Sequence, residues 1–149
     1  MSMDVPPPPP PPPPGTGGSG PVPTPPIGNP LVGYWKQCVL ENYANFQGRA
    51  RRSEFWWFAL ANILVFVAIV IVGAIVKPLI ILAFVYWLAM IVPYIAVAVR
   101  RLHDTDKSGW FYLLGLVPFV GGIILLVLLC IDSTRGTNQY GTSEKYPVG

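Results

Sequence analysis

The side chains best equipped for chemistry lie in one stretch, Arg100 to Trp110, RRLHDTDKSGW, which carries the only histidine of the chain. His103 beside Asp104, with Ser108 close behind, supplies a base, a carboxylate and a hydroxyl, the parts of a hydrolytic triad. Triads are built by bringing distant segments together, because neighbours in sequence seldom aim three side chains at one atom. Ser108 therefore fits better as the N-cap of a helix that follows. Zinc asks for three or four His, Cys or carboxylate ligands, and one histidine with no nearby thiol does not provide them. Cys38 and Cys130 stand far apart and form no CxxC pair, so they are expected to be packing or interfacial thiols. No cofactor is expected, and a membrane enzyme using His103 and Asp104 ranks last among the functional readings.

Arg49, Arg51, Arg52 and Glu54 form a second charged cluster. Folded onto Arg100, Arg101, His103, Asp104, Asp106 and Lys107, it would make one face with six basic and three acidic side chains. Three roles suit such a face. Juxtamembrane arginines hold helix ends at the interface, each basic residue contributing about 1 kcal/mol at an anionic surface. Convergent Arg49, Arg52, Arg100 and Arg101 would make a phosphate or headgroup site, since guanidinium forks match phosphate oxygens. Arg–Asp or Arg–Glu pairs would instead lock helices together.

The elements that must position these clusters are apolar. Of 149 residues, 52% are hydrophobic and 11% charged, so lipid is the natural solvent. Residues 1–29 form a Pro/Gly-rich tail with nine consecutive prolines, Pro6 to Pro14, expected to be a disordered tether; the segment lacks the basic and apolar regions of a secretory signal, so the first span acts as its own insertion signal. Asn29-Pro30 starts an amphipathic helix over 30–47, expected to lie flat in the membrane interface. Residues 55–76 make a first span, with Ser53 as N-cap. From Phe55 to Val99 only Lys77 is charged, and a single helix of that length would be about 67 Å long against a hydrocarbon core of about 30 Å. Lys77-Pro78 is the place to fold back, giving a second span over 79–99 with a kink at Pro93.

Trp110 to Ile131 is again uncharged and predicts a third span, with Gly115, Pro118 and Gly122 as a small-residue stripe for helix contact. Residues 132–149 are a polar tail. The expected fold is thus an all-α membrane protein of three transmembrane helices, preceded by an interfacial helix and the Pro-rich tail. With three spans, seven Lys and Arg lie on one side and three on the other. The positive-inside rule then puts the N-terminus and the 100–109 loop in the cytoplasm and the C-terminus outside. A re-entrant third segment, weakened by its glycines and proline, with the C-terminus inside, is the alternative.

NYANFQGRARRSEFWWF at 42–58, RRLHDTDKSGWFYLLGLVPFVGG at 100–122 and GTNQYG at 136–141 resemble the domain of unknown function 805 family, the YhaH-like bacterial inner-membrane proteins. The resemblance covers roughly residues 34–145 and implies a small multi-span protein of the bacterial cytoplasmic membrane; it supplies no reaction. The leading expectation is a non-enzymatic structural, assembly or regulatory component. Its partners would be the bilayer, anionic headgroups or an acidic protein, and further copies or other membrane proteins, but not nucleic acid. A small oligomeric transporter or channel is the alternative, although no span holds an ionisable residue of the kind that lines ion and substrate paths.

Overall fold

The computed structural model describes residues 25–143, 145 and 146, so the greater part of the Pro-rich tail lies outside the described residues. Helix α1 spans Pro30–Lys36 and runs on through a π-helical turn, Gln37–Glu41. Asn29 caps it, its side chain accepting from the Leu31 N–H at 3.0 Å. Expected over 30–47, the segment ends at Glu41. It packs against the bundle: Tyr34 meets Ser53 at 3.3 Å and Trp35 Nε1 donates to the Tyr86 hydroxyl at 3.4 Å, while just beyond its end the Tyr43 hydroxyl donates to the Ala89 carbonyl at 2.5 Å. Burying the indole and phenol polar tips against partners suits a segment held among helices.

Two long helices follow, α2 over Arg52–Ile75 and α3 over Ile80–Asp104, joined by a single 3-10 turn, Lys77–Leu79. They are antiparallel and long and apolar enough to cross a membrane. At 1.5 Å per residue each extends about 36 Å, against a hydrocarbon core of about 30 Å. The tight reversal requires Gly73, where a Cβ would sit 3.0 Å from the backbone of Ile80. Helix α2 begins earlier than expected: Arg51 occupies the N-cap position without a side-chain bond, and the Ser53 hydroxyl is turned to Tyr34.

Helix α3 runs past Val99 to Asp104, which moves Arg100, Arg101, His103 and Asp104 from a loop onto its last turns. Their fixed spacing on that turn sends them to different partners. The helix stops in a Schellman arrangement. Asp106 adopts the left-handed conformation (φ 59°), its N–H donating to His103 O at 3.0 Å, while the Lys107 N–H donates to Leu102 O at 3.0 Å.

The expected third span is not a continuous helix. Residues Gly109–Leu116 form a 3-10 segment, capped by Ser108, whose side chain accepts from the Trp110 N–H. The chain then turns through Val117–Val120 and returns as the ten-residue helix α4, Gly121–Cys130. Gly121 permits the turn, since a Cβ there would lie 1.8 Å from Leu114 O. Both ends of this segment sit at the same end of α3: Gly109 abuts Val99, and Arg101 donates to the carbonyls of Leu129 and Ile131. Three full spans are therefore replaced by two long helices and a helical segment that folds back. The small-residue stripe is replaced too. Gly115 faces Leu125 of the same segment, and Gly122 faces open space.

The described residues beyond Ile131 fold onto that same end instead of departing on the opposite side. A two-residue hairpin, β1 Thr137–Asn138 with β2 Gly141–Thr142, lies there in the register Thr137 to Thr142. The apolar core beneath it is made by Cys38, Ala50, Phe55, Phe58, Val97, Ala98, Leu102 and Leu129, with Trp35 of α1 and Tyr112 of the 3-10 segment packed against it.

Candidate functional site

The charged end of the bundle is built around Asp104, 1% exposed at the C-terminus of α3. Its carboxylate pairs with Arg49 at 2.9 Å and Arg101 at 2.5 Å and accepts from the Ser133 hydroxyl. Arg49 comes from the strap before α2, so one aspartate ties together the strap, α3 and the tail. The remaining Arg49 donors reach the carbonyls of Asp104 (2.9 Å), Thr134 (2.7 Å), Gly136 (3.0 Å) and Gly141 (3.2 Å). Those of Arg101 reach Leu129 and Ile131 at the C-terminus of α4. Helix C-termini present carbonyls with no intrahelical donor and carry partial negative charge, so they satisfy a second buried guanidinium that one carboxylate alone could not neutralise.

Arg100 faces the other side of the helix. It pairs with Glu54 at 2.8 Å, in a geometry that gives charge contact without an N–H···O bond, both side chains being 1% exposed. The Cys38 thiol donates to Glu54 Oε1 at 3.6 Å, and Arg100 Nη2 approaches the same sulfur at 4.0 Å. Burial first, and the neighbouring Glu54 carboxylate second, push the Cys38 thiol well above the usual thiol range. It is thus an inert packing group. Glu54 Oε2, Arg100 Nε and Gln37 Oε1 are buried without hydrogen-bond partners among the described residues.

His103 stacks flat on Tyr140, with ring centroids 3.8 Å apart and planes 3° from parallel, and its Nδ1 lies 3.1 Å from Gly48 O. Asn138 donates to His103 O at 2.9 Å. The hairpin is therefore fastened to α3 by one ring stack and one hydrogen bond from the Asn138 amide.

Comparison with known proteins gives the chain a family. Residues 43–142 match the family model "Protein of unknown function (DUF805)". The chain belongs to the DUF805 family. It is 46% identical over 113 residues to the inner membrane protein YhaI of Escherichia coli (strain K12), covering 75% of this chain and 96% of that one. To the inner membrane protein YhaH of the same strain it is 41% identical over 119 residues, covering 74% and 96%. No solved structure matches the chain. This DUF805 protein is a helical protein of the bacterial inner membrane.

The matched region contains both charged clusters, and the structure brings them together at one end. Arg49, Glu54, Arg100, Arg101 and Asp104 are interior, contacting other segments of the same chain. Arg49, Arg100 and Arg101 are thereby removed from any surface available to lipid phosphates. Arg52 is exposed, 3.7 Å from Asp132 and bonded to Cys130 O at 3.1 Å. Arg51 and Lys107 are half-buried at the rim, and Asp106 is exposed, its conformation serving the helix stop. His103, Asp104 and Ser108 do not converge: ring, carboxylate and hydroxyl are directed at Tyr140 and Gly48, at the arginines and Ser133, and at Trp110 respectively.

Sequence reasoning missed Ser133, Thr134, Asn138 and Tyr140, the tail residues that complete the cluster; Cys38 it expected to be a packing or interfacial thiol, and the thiol is buried against Glu54 and Arg100. The GTNQYG motif pointed at two of the tail residues, but a polar tail gives no sign of where it docks. At the surface, Lys145 donates to both Asp132 oxygens at 2.7 Å and holds that carboxyl well below the usual carboxylate range.

Proposed function

We propose that this DUF805 protein is a non-enzymatic assembly or regulatory component of the bacterial inner membrane, crossing it twice, with a rigid polar cap on the cytoplasmic side. The cap would meet anionic lipid headgroups or an acidic partner through Arg51, Lys107 and Arg135. The observation that carries this reading is the direction of the charges at that end. Three arginines are turned inward and consumed, while Arg51, Lys107 and Arg135 carry no ion pair among the described residues. Outward cations at a membrane surface attract anionic headgroups.

The folded-back third segment supports this orientation. With the tail on the same side as the strap before α2, Lys77 stands alone on the far side against the other nine of the ten Lys and Arg. The positive-inside rule then places the cap, and the tail with it, in the cytoplasm. A transport role has less support: the polar pair inside the spans, Asn62 and Tyr86, is closed on itself at 2.8 Å.

Two measurements test the reading. Cysteines introduced at Gln139 and at Lys77 in intact cells should react with a membrane-impermeant maleimide only at position 77; labelling at 139 from outside overturns the orientation. Native mass spectrometry of the protein with phosphatidylglycerol and phosphatidylcholine should show preferential retention of the anionic lipid, abolished when Arg51, Lys107 and Arg135 are all changed to Gln.

A further inference from the structure

A groove of about 510 Å³ opens on the outside of the bundle between α2, α3 and the 3-10 segment. It runs along Ala59 and Phe66 on α2, with Asn62, Tyr86, Tyr94 and Tyr112 among its walls. On α2 these residues lie seven to fourteen positions beyond Arg52, about 10–21 Å in from the charged end. With α2 and α3 crossing the membrane as proposed above, on which this inference rests, that is hydrocarbon depth in a core of about 30 Å. An occupant must come from the bilayer.

The polar groups in the groove discriminate between occupants. The Asn62 and Tyr86 side chains bond to each other at 2.8 Å, and Asn62 also donates to Phe58 O at 2.9 Å. Tyr94 rests its ring edge-on against Phe55 and tilted against Phe58. Neither its hydroxyl nor that of Tyr112 meets a hydrogen-bond partner among the described residues. Hydrocarbon offers an O–H nothing to donate to, and an unmet donor there is costly. A second copy's helix would bring carbonyls already used within that helix. A glycerophospholipid brings ester carbonyls that are unbonded and an acyl chain shaped for the apolar length of the groove. Its size falls in the range of about 300–1,000 Å³ typical of small-molecule sites.

We propose that this groove is a lipid site, holding one acyl chain of a glycerophospholipid along Ala59 and Phe66 with the ester carbonyl accepting from the Tyr94 or Tyr112 hydroxyl. The site lies in the hydrocarbon and is independent of headgroup charge, which separates it from the cationic cap.

Native mass spectrometry of the full chain released from mild detergent tests it, with phosphatidylcholine and phosphatidylglycerol as probes. A retained lipid is expected with either headgroup, in a population that persists when the cap cations are replaced. The double variant Tyr94→Phe/Tyr112→Phe should lower retention of phosphatidylcholine about tenfold, as loss of buried hydrogen bonds does. Ala59→Trp, which fills the groove, should abolish it. Ile123→Trp, on the exposed face of α4, should leave it unchanged. Thermal melting of each variant identifies any that fail to fold, and the Tyr→Phe pair, which keeps both rings, carries the decision in that case. Equal retention in the wild type and the Tyr→Phe pair overturns the proposal. So does a lipid-free dimer that Ala59→Trp dissociates, which would give the groove to a second copy.

Discussion

Two stretches of this chain are nearly indistinguishable by composition and fold differently. Phe55 to Val76 and Trp110 to Ile131 are each 22 residues without a charge. The first forms the larger part of an unbroken 24-residue helix, and the second breaks at Val117–Val120 and returns to the end it left. What separates them is the number of intrahelical interruptions and the pull at the far end. The first has one glycine, Gly73, in its last turn. The second has Pro118 and the Gly121-Gly122 pair near its middle, and its C-terminal carbonyls are held by Arg101. Hydrophobicity selects the solvent, whereas backbone breaks and a buried cation select the path.

The largest effect on this contrast is expected at Asp104. Asp104→Ala leaves Arg49 and Arg101 as buried guanidiniums without their carboxylate, and should cost about 3–5 kcal/mol. A fall in the melting temperature of the detergent-solubilised protein would report it, with protease cleavage after residue 131 as evidence that the returning segment has come loose. The Arg100–Glu54 pair sharpens the point from the opposite face. Glu54→Leu alone should be similarly damaging, whereas Glu54→Leu combined with Arg100→Leu should recover most of the loss, because an apolar pair replaces an ion pair lacking its hydrogen bonds.

Smaller effects test the turn itself. Gly121→Ala puts a methyl group into Leu114 O and should destabilise by about 1–3 kcal/mol. Gly122→Ala, with open space around it, should be neutral or stabilise α4 by up to about 1 kcal/mol. Equal outcomes at the two glycines would contradict the folded-back geometry. Asp106→Gly, which relieves a left-handed residue at the stop of α3, should stabilise by about 1 kcal/mol in the same melting experiment. The smallest effect concerns the thiols. In the folded protein Cys38 should resist a maleimide at pH 8, since its burial raises the pH at which thiolate forms, and should react fully once denatured.

Much of the fold was legible locally. Asn29-Pro30 marked a helix start because a capping side chain and a fixed φ act within a few residues. Lys77-Pro78 marked the reversal because a charge and a helix breaker coincide in an otherwise apolar run. Ser108 marked the start of the next segment by the same capping chemistry. The candidate site was legible only as an inventory. Arg49, Glu54, Arg100, Arg101 and Asp104 stood out as charges beside apolar stretches, but whether an arginine at a helix end turns outward to phosphate or inward to a carboxylate depends on what else arrives there. Ser133, Thr134 and Asn138 arrive from a polar tail with no periodicity to betray its docking position.

The sequence by itself therefore determined the solvent, the two long helices and the family, because hydropathy, breakers and motifs are properties of short windows. Only the tertiary structure decided the fate of Trp110 to Ile131 and the direction of each arginine. Those depend on long-range contacts, above all the hold of Arg101 on the end of α4 and the meeting of Arg49, Ser133 and Asp104, which bring the strap, the helix and the tail to a single carboxylate.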